Sequence, residues 1–176
     1  MRTSRILLFN PVFALVLTSL LLVGGCTGVD AVWRGDVAKP ANQDHWPISL
    51  GGPTEGISFK DLYVKSSPPA GSAPAGYNFI RFWPDGRCAK RYYRMTKFPT
   101  PTDGDKLESL MLGRYHVYGG RIRIELFEGH DGLFYTYEGT VNADRIVLET
   151  PRKGYVDVYK KTDFPAGAMH RLKPDW

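Results

Sequence analysis

The sequence has few cysteines and histidines and no recognisable catalytic motif. Among 176 residues there are two cysteines, Cys26 and Cys88, and four histidines that lie far apart in the chain. It has no Gly-x-Ser-x-Gly elbow, no phosphate-binding glycine loop, no Cys-x-x-Cys pair and no His-Glu-x-x-His pair. We therefore expect a protein that is not an enzyme and that holds no cofactor.

A metal site has little support. The stretch "EGHDG" at 128–132 places His130 beside Glu128 and Asp131. A transition-metal site usually needs a second nitrogen or sulfur ligand, and the flanking glycines are typical of a solvated turn. We predict no metal site here.

An uncharged run near the amino terminus predicts an export signal. Arg2 and Arg5 precede the stretch from Ile6 to Gly25, which holds no charged residue. Asn10-Pro11 leaves about a dozen clean apolar residues, fewer than the roughly 20 that a membrane-spanning helix requires. We therefore interpret residues 1–25 as a cleaved signal peptide.

The end of that run, Val23-Gly24-Gly25-Cys26, resembles a bacterial lipobox, in which an aliphatic and two small residues precede a cysteine. The resemblance implies a bacterial lipoprotein with diacylglycerol on the Cys26 thiol, cleavage before Cys26 and an acyl chain such as palmitate on the new amine. Thr27, in place of aspartate, implies sorting to the outer membrane, facing the periplasm. The alternative is an ordinary secretory signal with a chance cysteine.

Lipidation of Cys26 would leave Cys88 as a lone thiol. Because Cys88 lies in a predicted strand, we expect it to be a small, buried and inert residue. The rival hypothesis is a disulfide between the two cysteines.

The charge of the chain argues against nucleic acid as a partner. Removal of Arg2 and Arg5 with the signal lowers the Lys plus Arg count from 23 to 21 against 18 Asp plus Glu, which leaves a net charge of +3. So mild a charge allows only a weak attraction to anionic lipid headgroups. The basic and aromatic run "RYYR" at 91–94 is accordingly interpreted as a solvated strand face.

Residues 26–56 show no sustained period, and we interpret them as a lipid-anchored tether. Trp33 and Trp46 are costly to leave in water, so part of the tether, "HWPISL", is expected to dock on the domain. A domain over 57–161 and a tail over 162–176 complete the expected organisation.

From Ile57 onward, short alternating runs are separated by turn residues, which is typical of consecutive antiparallel strands. Tight connections at Pro84-Asp85-Gly86, Gly119-Gly120 and 142–144 predict hairpins. A short helix is predicted within 103–112, capped by Asp103 or Asp105. The eight predicted strands span 58–65, 77–83, 87–95, 113–118, 121–127, 133–141, 145–150 and 154–160.

Eight sequential antiparallel strands favour an all-β fold that closes into an up-and-down barrel, because closure removes exposed edges. An open meander sheet and a β-sandwich are the alternatives. In a barrel, the long connections after the first, third, fifth and seventh strands lie on one rim and the tight turns on the other. A barrel with one open mouth and one closed base would produce this asymmetry, because long loops tend to be binding loops. The alternative is that the long connections are merely tolerated insertions.

Three stretches resemble the lipocalin-like, or calycin, β-barrels: "FIRFWPDGR" at 79–87, "GRYHVYGGRIRIELF" at 113–127 and "YEGTVNADRIVLE" at 137–149. The resemblance lies in the style and order of strands and turns. It implies a barrel whose interior either is filled by side chains or holds one small ligand.

Ten tyrosines supply the candidate binding residues. Tyr135 and Tyr137 share one face of the sixth predicted strand, and the facing parity of the fourth offers Tyr115. If these faces point inward, the tyrosine hydroxyls need partners. Arg81 and Arg91 are candidates to supply those partners and to meet an anionic ligand group. Ordinary aromatic packing is the alternative.

These observations predict a lipid-anchored protein of the bacterial envelope that binds a small amphipathic molecule or an envelope component. The alternative is a structural lipoprotein with a filled barrel that contacts a protein partner. In both hypotheses the protein meets the membrane through Cys26.

The lipobox hypothesis gives the first prediction. Cys26→Ala should abolish incorporation of labelled acyl chains and leave the precursor uncleaved or mislocalised, because acylation requires the thiol. Labelling and fractionation of cells measure both. A disulfide between Cys26 and Cys88 in the mature protein would contradict the hypothesis.

Overall fold

The computed structural model describes residues 31–34, 37–40, 46–67, 75–91, 93–106, 110–150 and 155–169. The predicted signal peptide, Cys26, and the connections at 68–74 and 151–154 lie outside the described residues, as does the chain from 170 onward. No helix within the described part is long and apolar enough to cross a membrane.

The described residues form a small hairpin, a short helix and a closed barrel. In the barrel each strand pairs antiparallel with its neighbour in sequence, and β10 returns to pair with β3. The predicted eight-stranded up-and-down barrel is confirmed, which excludes the open meander and the sandwich. The elements are β1 (Ala31–Arg34), β2 (Val37–Pro40), β3 (Tyr63–Ser67), β4 (Gly76–Phe82), β5 (Arg87–Arg91), α1 (Pro101–Asp105), β6 (Leu110–Tyr118), β7 (Arg121–Glu128), β8 (Leu133–Val141), β9 (Arg145–Glu149) and β10 (Val156–Lys161).

Alternation of side chains sets the two faces of β7. Ile122 and Ile124 are buried in the barrel interior, and Arg123 is exposed on the opposite face. Glu125 shares the outer face but is fully buried there. Its Oε1 lies 2.6 Å from Arg123 Nη2, and the two side chains form an ion pair.

The predicted helix over 103–112 is wrong in position. The helix spans Pro101–Asp105, and Thr100 and Asp103 form a reciprocal capping box at its start. Proline favours the first turn of a helix, which the apolar pattern could not indicate. Strand β6 begins at Leu110. Met111 points into the barrel, and Leu110 and Leu112 on either side of it pack outside, which is the alternation of a strand and not of a helix.

The barrel wall has a hydrophobic cluster on each side. The inner cluster fills the half of the barrel nearest the tight turns, where Phe82 makes edge contacts with Tyr63 and Tyr115 at centroid distances of 5.5 and 4.7 Å. The outer cluster covers the outside of β3 to β7. Its members include Ala38, Trp46, Leu62, Val64, Phe79, Ala89, Leu112, Phe127 and Met169.

Segments from both ends of the chain cover this outer wall. The β1–β2 hairpin lies within the predicted tether, and β2 packs against β6 and β7. In "HWPISL", the docking segment, Trp46 and Ile48 are each 5% exposed, and Trp46 makes edge contacts with Phe127 and Phe134. The outer wall is thus shielded from water over several strands.

The end with the tight turns is closed by the chain before β3. Val117 N donates to Pro53 O at 2.7 Å, and Thr54 forms a bridge with Val117. Ile57 is buried in the inner cluster, and the Ser58 amide donates to the Tyr63 hydroxyl at 2.9 Å. Apolar and hydrogen-bonded contacts therefore seal this end.

Close packing of β8 on β9 gives a stability prediction. A Cβ added at Gly139 would overlap the Val147 carbonyl oxygen and lie 3.0 Å from Leu148 Cα, so the backbone itself would have to move. Gly139→Ala should lower the free energy of unfolding by about 3 kcal/mol or more, or prevent folding.

Thr140 is the matched control, because it is the next residue and is exposed. Thr140→Ala should lower the free energy of unfolding by less than about 1 kcal/mol. Urea unfolding followed by tryptophan fluorescence compares the two variants. Equal losses would show that the close approach does not constrain this strand pair.

A candidate binding cavity at the open rim

The half of the barrel away from the tight turns contains a cavity of about 550 Å³. Asp131 lies in the β7–β8 connection, and Thr150 and Tyr155 flank the β9–β10 connection. The cavity therefore opens on the rim of the long connections, where the sequence predicted a mouth. Its lining residues are Lys65, Lys90, Met111, Glu128, Asp131, Tyr135, Tyr137, Thr150, Tyr155 and Asp157.

Two of the three predicted tyrosines line this cavity. Tyr135 and Tyr137 are partly buried above the inner cluster. Tyr115 lies instead in the filled half, where its hydroxyl donates to Trp83 O at 2.8 Å. Burial, first of all, raises the pKa of the Tyr115 hydroxyl well above its ordinary value. Tyr115 therefore belongs to the closed base of the barrel.

The structure does not bring the two predicted arginines to the cavity. Ile80 and Phe82 belong to the inner cluster, so Arg81 between them points outward. Its guanidinium Nη1 lies 2.5 Å from both Gly104 O and Asp105 Oδ1 and so fastens α1 to the wall. By the same alternation Arg91 follows the inward Lys90 and lies on the outer side of β5.

A pair of opposite charges inside the cavity was not predicted. Lys65 on β3 and Asp157 on β10 form an ion pair between their side chains. The Tyr159 hydroxyl also bonds to Asp157, and burial followed by this carboxylate raises the pKa of Tyr159. Inward parity on β3 and β10 could have indicated both charged residues, since each alternates with an outward neighbour.

Lys90 is the other amine in the cavity, and its surroundings differ from those of Lys65. Its Nζ lies 5.5 Å from the centroid of the Tyr137 ring, within cation–π range. Among the described residues no carboxylate forms an ion pair with it. Burial, first of all, and the charge of Lys65 lower the pKa of Lys90 from its ordinary 10.5, and Asp157 partly opposes them.

The two acidic residues of the mouth, Glu128 and Asp131, differ from each other in exposure. Glu128 is 8% exposed, and one of its carboxylate oxygens accepts from the His130 amide at 3.3 Å. Asp131 is exposed, and His130 lies in the same turn. Within the described residues no group of three or more His, Cys, Asp or Glu is placed to hold a metal ion. The mouth therefore has one exposed carboxylate, Asp131, and one buried carboxylate, Glu128, and the interior offers an amine.

Cys88 lies in the inner cluster beside Gly113 and does not line the cavity. It is fully buried, and burial raises the pKa of its thiol. The side chain therefore packs as a small apolar group, and it has no access to a ligand in the cavity.

Comparisons of the chain with protein-family models, curated proteins and solved structures found no match. The closed eight-stranded barrel is consistent with the lipocalin-like fold that the strand and turn motifs predicted. The cavity and its charges are therefore the basis on which function is inferred.

The lowered pKa of Lys90 gives a prediction for stability. A lysine whose pKa is lower in the folded than in the unfolded state binds fewer protons when folded, so stability rises with pH between the two values. Lys90→Met removes the cost of burying the charge. The variant should be more stable than the parent at neutral pH, and its advantage should shrink as pH approaches 10.5.

Urea unfolding at neutral pH and near pH 10.5 measures the difference in stability between Lys90→Met and the parent. Lys97 is exposed, so Lys97→Met is the matched control and should change stability little at either pH. An advantage for Lys90→Met that stays constant with pH would show that packing, and not ionisation, is responsible.

Proposed function

We propose that this protein is a lipoprotein of the bacterial envelope, anchored in the outer membrane through Cys26, whose barrel binds a small amphipathic molecule with one anionic group. The main observation in support is the position of the Lys90 amine. It lies inside the cavity beside Tyr137, and it forms no ion pair with a carboxylate among the described residues. The signal and lipobox motifs support export and anchoring.

The size of the cavity suits a small molecule. Pockets for small ligands generally measure roughly 300 to 1,000 Å³, and a volume of about 550 Å³ lies within that range. A wholly filled barrel, the basis of the structural alternative, does not fit a cavity of this volume.

The walls offer apolar contact for the body of a ligand. Tyr135 and Tyr137 contribute aromatic rings to the lining, and Met111 adds a flexible thioether side chain that adapts to irregular shapes. All three lie on strands, which hold their backbones in fixed register. An alkyl chain or a fused ring system would replace water against these surfaces.

The two amines have different roles. Asp157 neutralises Lys65, so this lysine offers little net attraction to an anion. The Lys90 amine contacts the ring of Tyr137, and Asp157 acts on its charge without forming an ion pair with it among the described residues. A carboxylate or similar anion beside Lys90 would offset the cost of its burial, because a charge-assisted hydrogen bond is strong in such surroundings.

The mouth limits the charge of the ligand. Glu128 and Asp131 line the cavity near the rim and would repel a ligand with several negative charges. A molecule with one anionic group is repelled less than one with several, and it gains contact with Lys90 once inside. We therefore assign the ligand to monoanionic amphiphiles.

Photolabelling with a matched pair of probes tests this function. A decanoic acid that carries a diazirine should label cavity peptides containing Tyr135 and Tyr137, and the corresponding decanol should label them weakly. Lys90→Met should lower labelling by the acid about 10- to 100-fold, the value of a hydrogen bond to a charged group, and leave labelling by the alcohol unchanged.

Lys97→Met is the control, because this lysine is exposed and does not line the cavity. It should label like the parent with both probes. Equal labelling of parent and Lys90→Met by the acid would reject Lys90 as the anion contact. Absence of cavity labelling by either probe would reject ligand binding of this class.

A further inference from the structure

Large apolar side chains are exposed around the cavity mouth. Among the described residues, nine large hydrophobic side chains are exposed, and five of them belong to the open rim. We call these five the rim hydrophobics. They are Tyr93 (59% exposed), Phe98 (53%), Leu133 (45%), Tyr155 (69%) and Val156 (58%).

Their positions in the strands place them on one end of the barrel. Leu133 is the first residue of β8, and Val156 is the first of β10, directly after Tyr155. Met95 exchanges two backbone hydrogen bonds of 2.8 Å with Tyr77, at the start of β4, and the Phe98 ring lies 5.4 Å from the Tyr77 ring. The three groups thus surround the cavity mouth.

Basic residues accompany the aromatic part of this rim. Arg94 and Lys97 lie between Tyr93 and Phe98 in the chain, and both are exposed. A Cβ at Gly76 would overlap the Arg94 side chain, so Arg94 lies across the rim end of β4. Asp131, in the β7–β8 connection, is an exposed acidic residue on the same rim.

We propose that the rim hydrophobics dock on the surface of an anionic lipid bilayer, with the cavity mouth facing the lipid. Tyrosine rings favour the boundary between headgroups and acyl chains, and apolar residues favour shallow burial there. Arg94 and Lys97 complement anionic headgroups, where each basic residue adds to binding. A bilayer accepts separate projecting side chains without requiring one matched surface.

A protein partner fits these residues less well. A stable protein interface needs a continuous, closely packed area of roughly 1,200 to 2,000 Å². The described rim hydrophobics come from separate connections around the cavity mouth, so a rigid partner would have to match several projecting side chains at once. The arrangement therefore favours a deformable apolar medium.

Docking of the mouth would let an amphipathic molecule pass between bilayer and cavity without exposure of its apolar part to water. The docking itself does not depend on the proposed ligand, since it rests on the outer rim alone.

Depth-dependent fluorescence quenching tests the proposal on the full chain reconstituted into vesicles. Phe98→Cys on the rim and Tyr118→Cys on the opposite end are each labelled with the environment-sensitive dye NBD. Tyr118 is the matched control, because it is aromatic, 82% exposed and adjacent to the tight turn at Gly119-Gly120. The parent chain, labelled in parallel, corrects for any signal from Cys26 or Cys88.

In vesicles of phosphatidylcholine with phosphatidylglycerol, lipids with a nitroxide in the acyl chain should quench the dye at position 98 several-fold more than at 118. Quenching at 98 should weaken when phosphatidylglycerol is omitted or when Lys97→Glu is added. Equal quenching at the two positions, stronger quenching at 118, or no quenching at either would overturn the proposal. If the rim docks on a protein instead of a bilayer, neither position should be quenched.

Discussion

The barrel depends on the closure between β3 and β10, the strands that would otherwise be its two exposed edges. The register there is short, with Lys160 opposite Val64 and Lys161 opposite Tyr63. Below it, Thr162 N donates to Leu62 O at 2.8 Å, and the Leu62 amide donates to Thr162 Oγ1 at 3.0 Å. Above it, inside the cavity, the Lys65–Asp157 ion pair joins the same two strands. The cavity exists only because this seam completes its wall, so the ion pair that makes the interior polar also holds it closed.

Closure makes every second side chain of eight strands an interior residue, and the two halves of the barrel use that requirement differently. Near the tight turns the inward residues are large and apolar, and the hydroxyls of Tyr63 and Tyr115 bond to backbone groups. Near the long connections the inward residues include Lys65, Lys90 and Asp157, whose charges are costly to bury without partners. These charges keep the open half from collapsing into a second apolar core. The apolar core of the filled half stabilises the fold and so offsets the cost of burying these charges.

The sequence allowed the fold to be predicted more fully than the site. Alternation in β7 and glycines at tight turns are local signals, and they were sufficient for strand order and closure. The position of α1 depended on a capping box and on Arg81, a contact between distant segments. For the site, Tyr135 and Tyr137 followed from parity, but Arg81 and Arg91 were chosen for charge alone. Had the alternation of side chains been applied to β5, Lys90, which shares the inward face of Cys88, would have been chosen in place of Arg91. The pairing of Lys65 with Asp157 depends on closure, which brings together residues far apart in the chain.

The same topology limits where a ligand can enter. Residues 53–57 seal the end of the tight turns, where Val117 bonds to Pro53 and Ile57 fills the interior. The outer faces of β3 to β7 are covered by Trp46 and its neighbours, and strand hydrogen bonds close the wall itself. A ligand of the proposed kind would therefore enter and leave at the rim of the long connections. The carboxylates of Glu128 and Asp131 lie beside that entrance, and the rim hydrophobics surround it. In the proposed function, the apolar part of a monoanionic amphiphile would contact the rim hydrophobics on entry, and its anionic group would pass these carboxylates to reach Lys90.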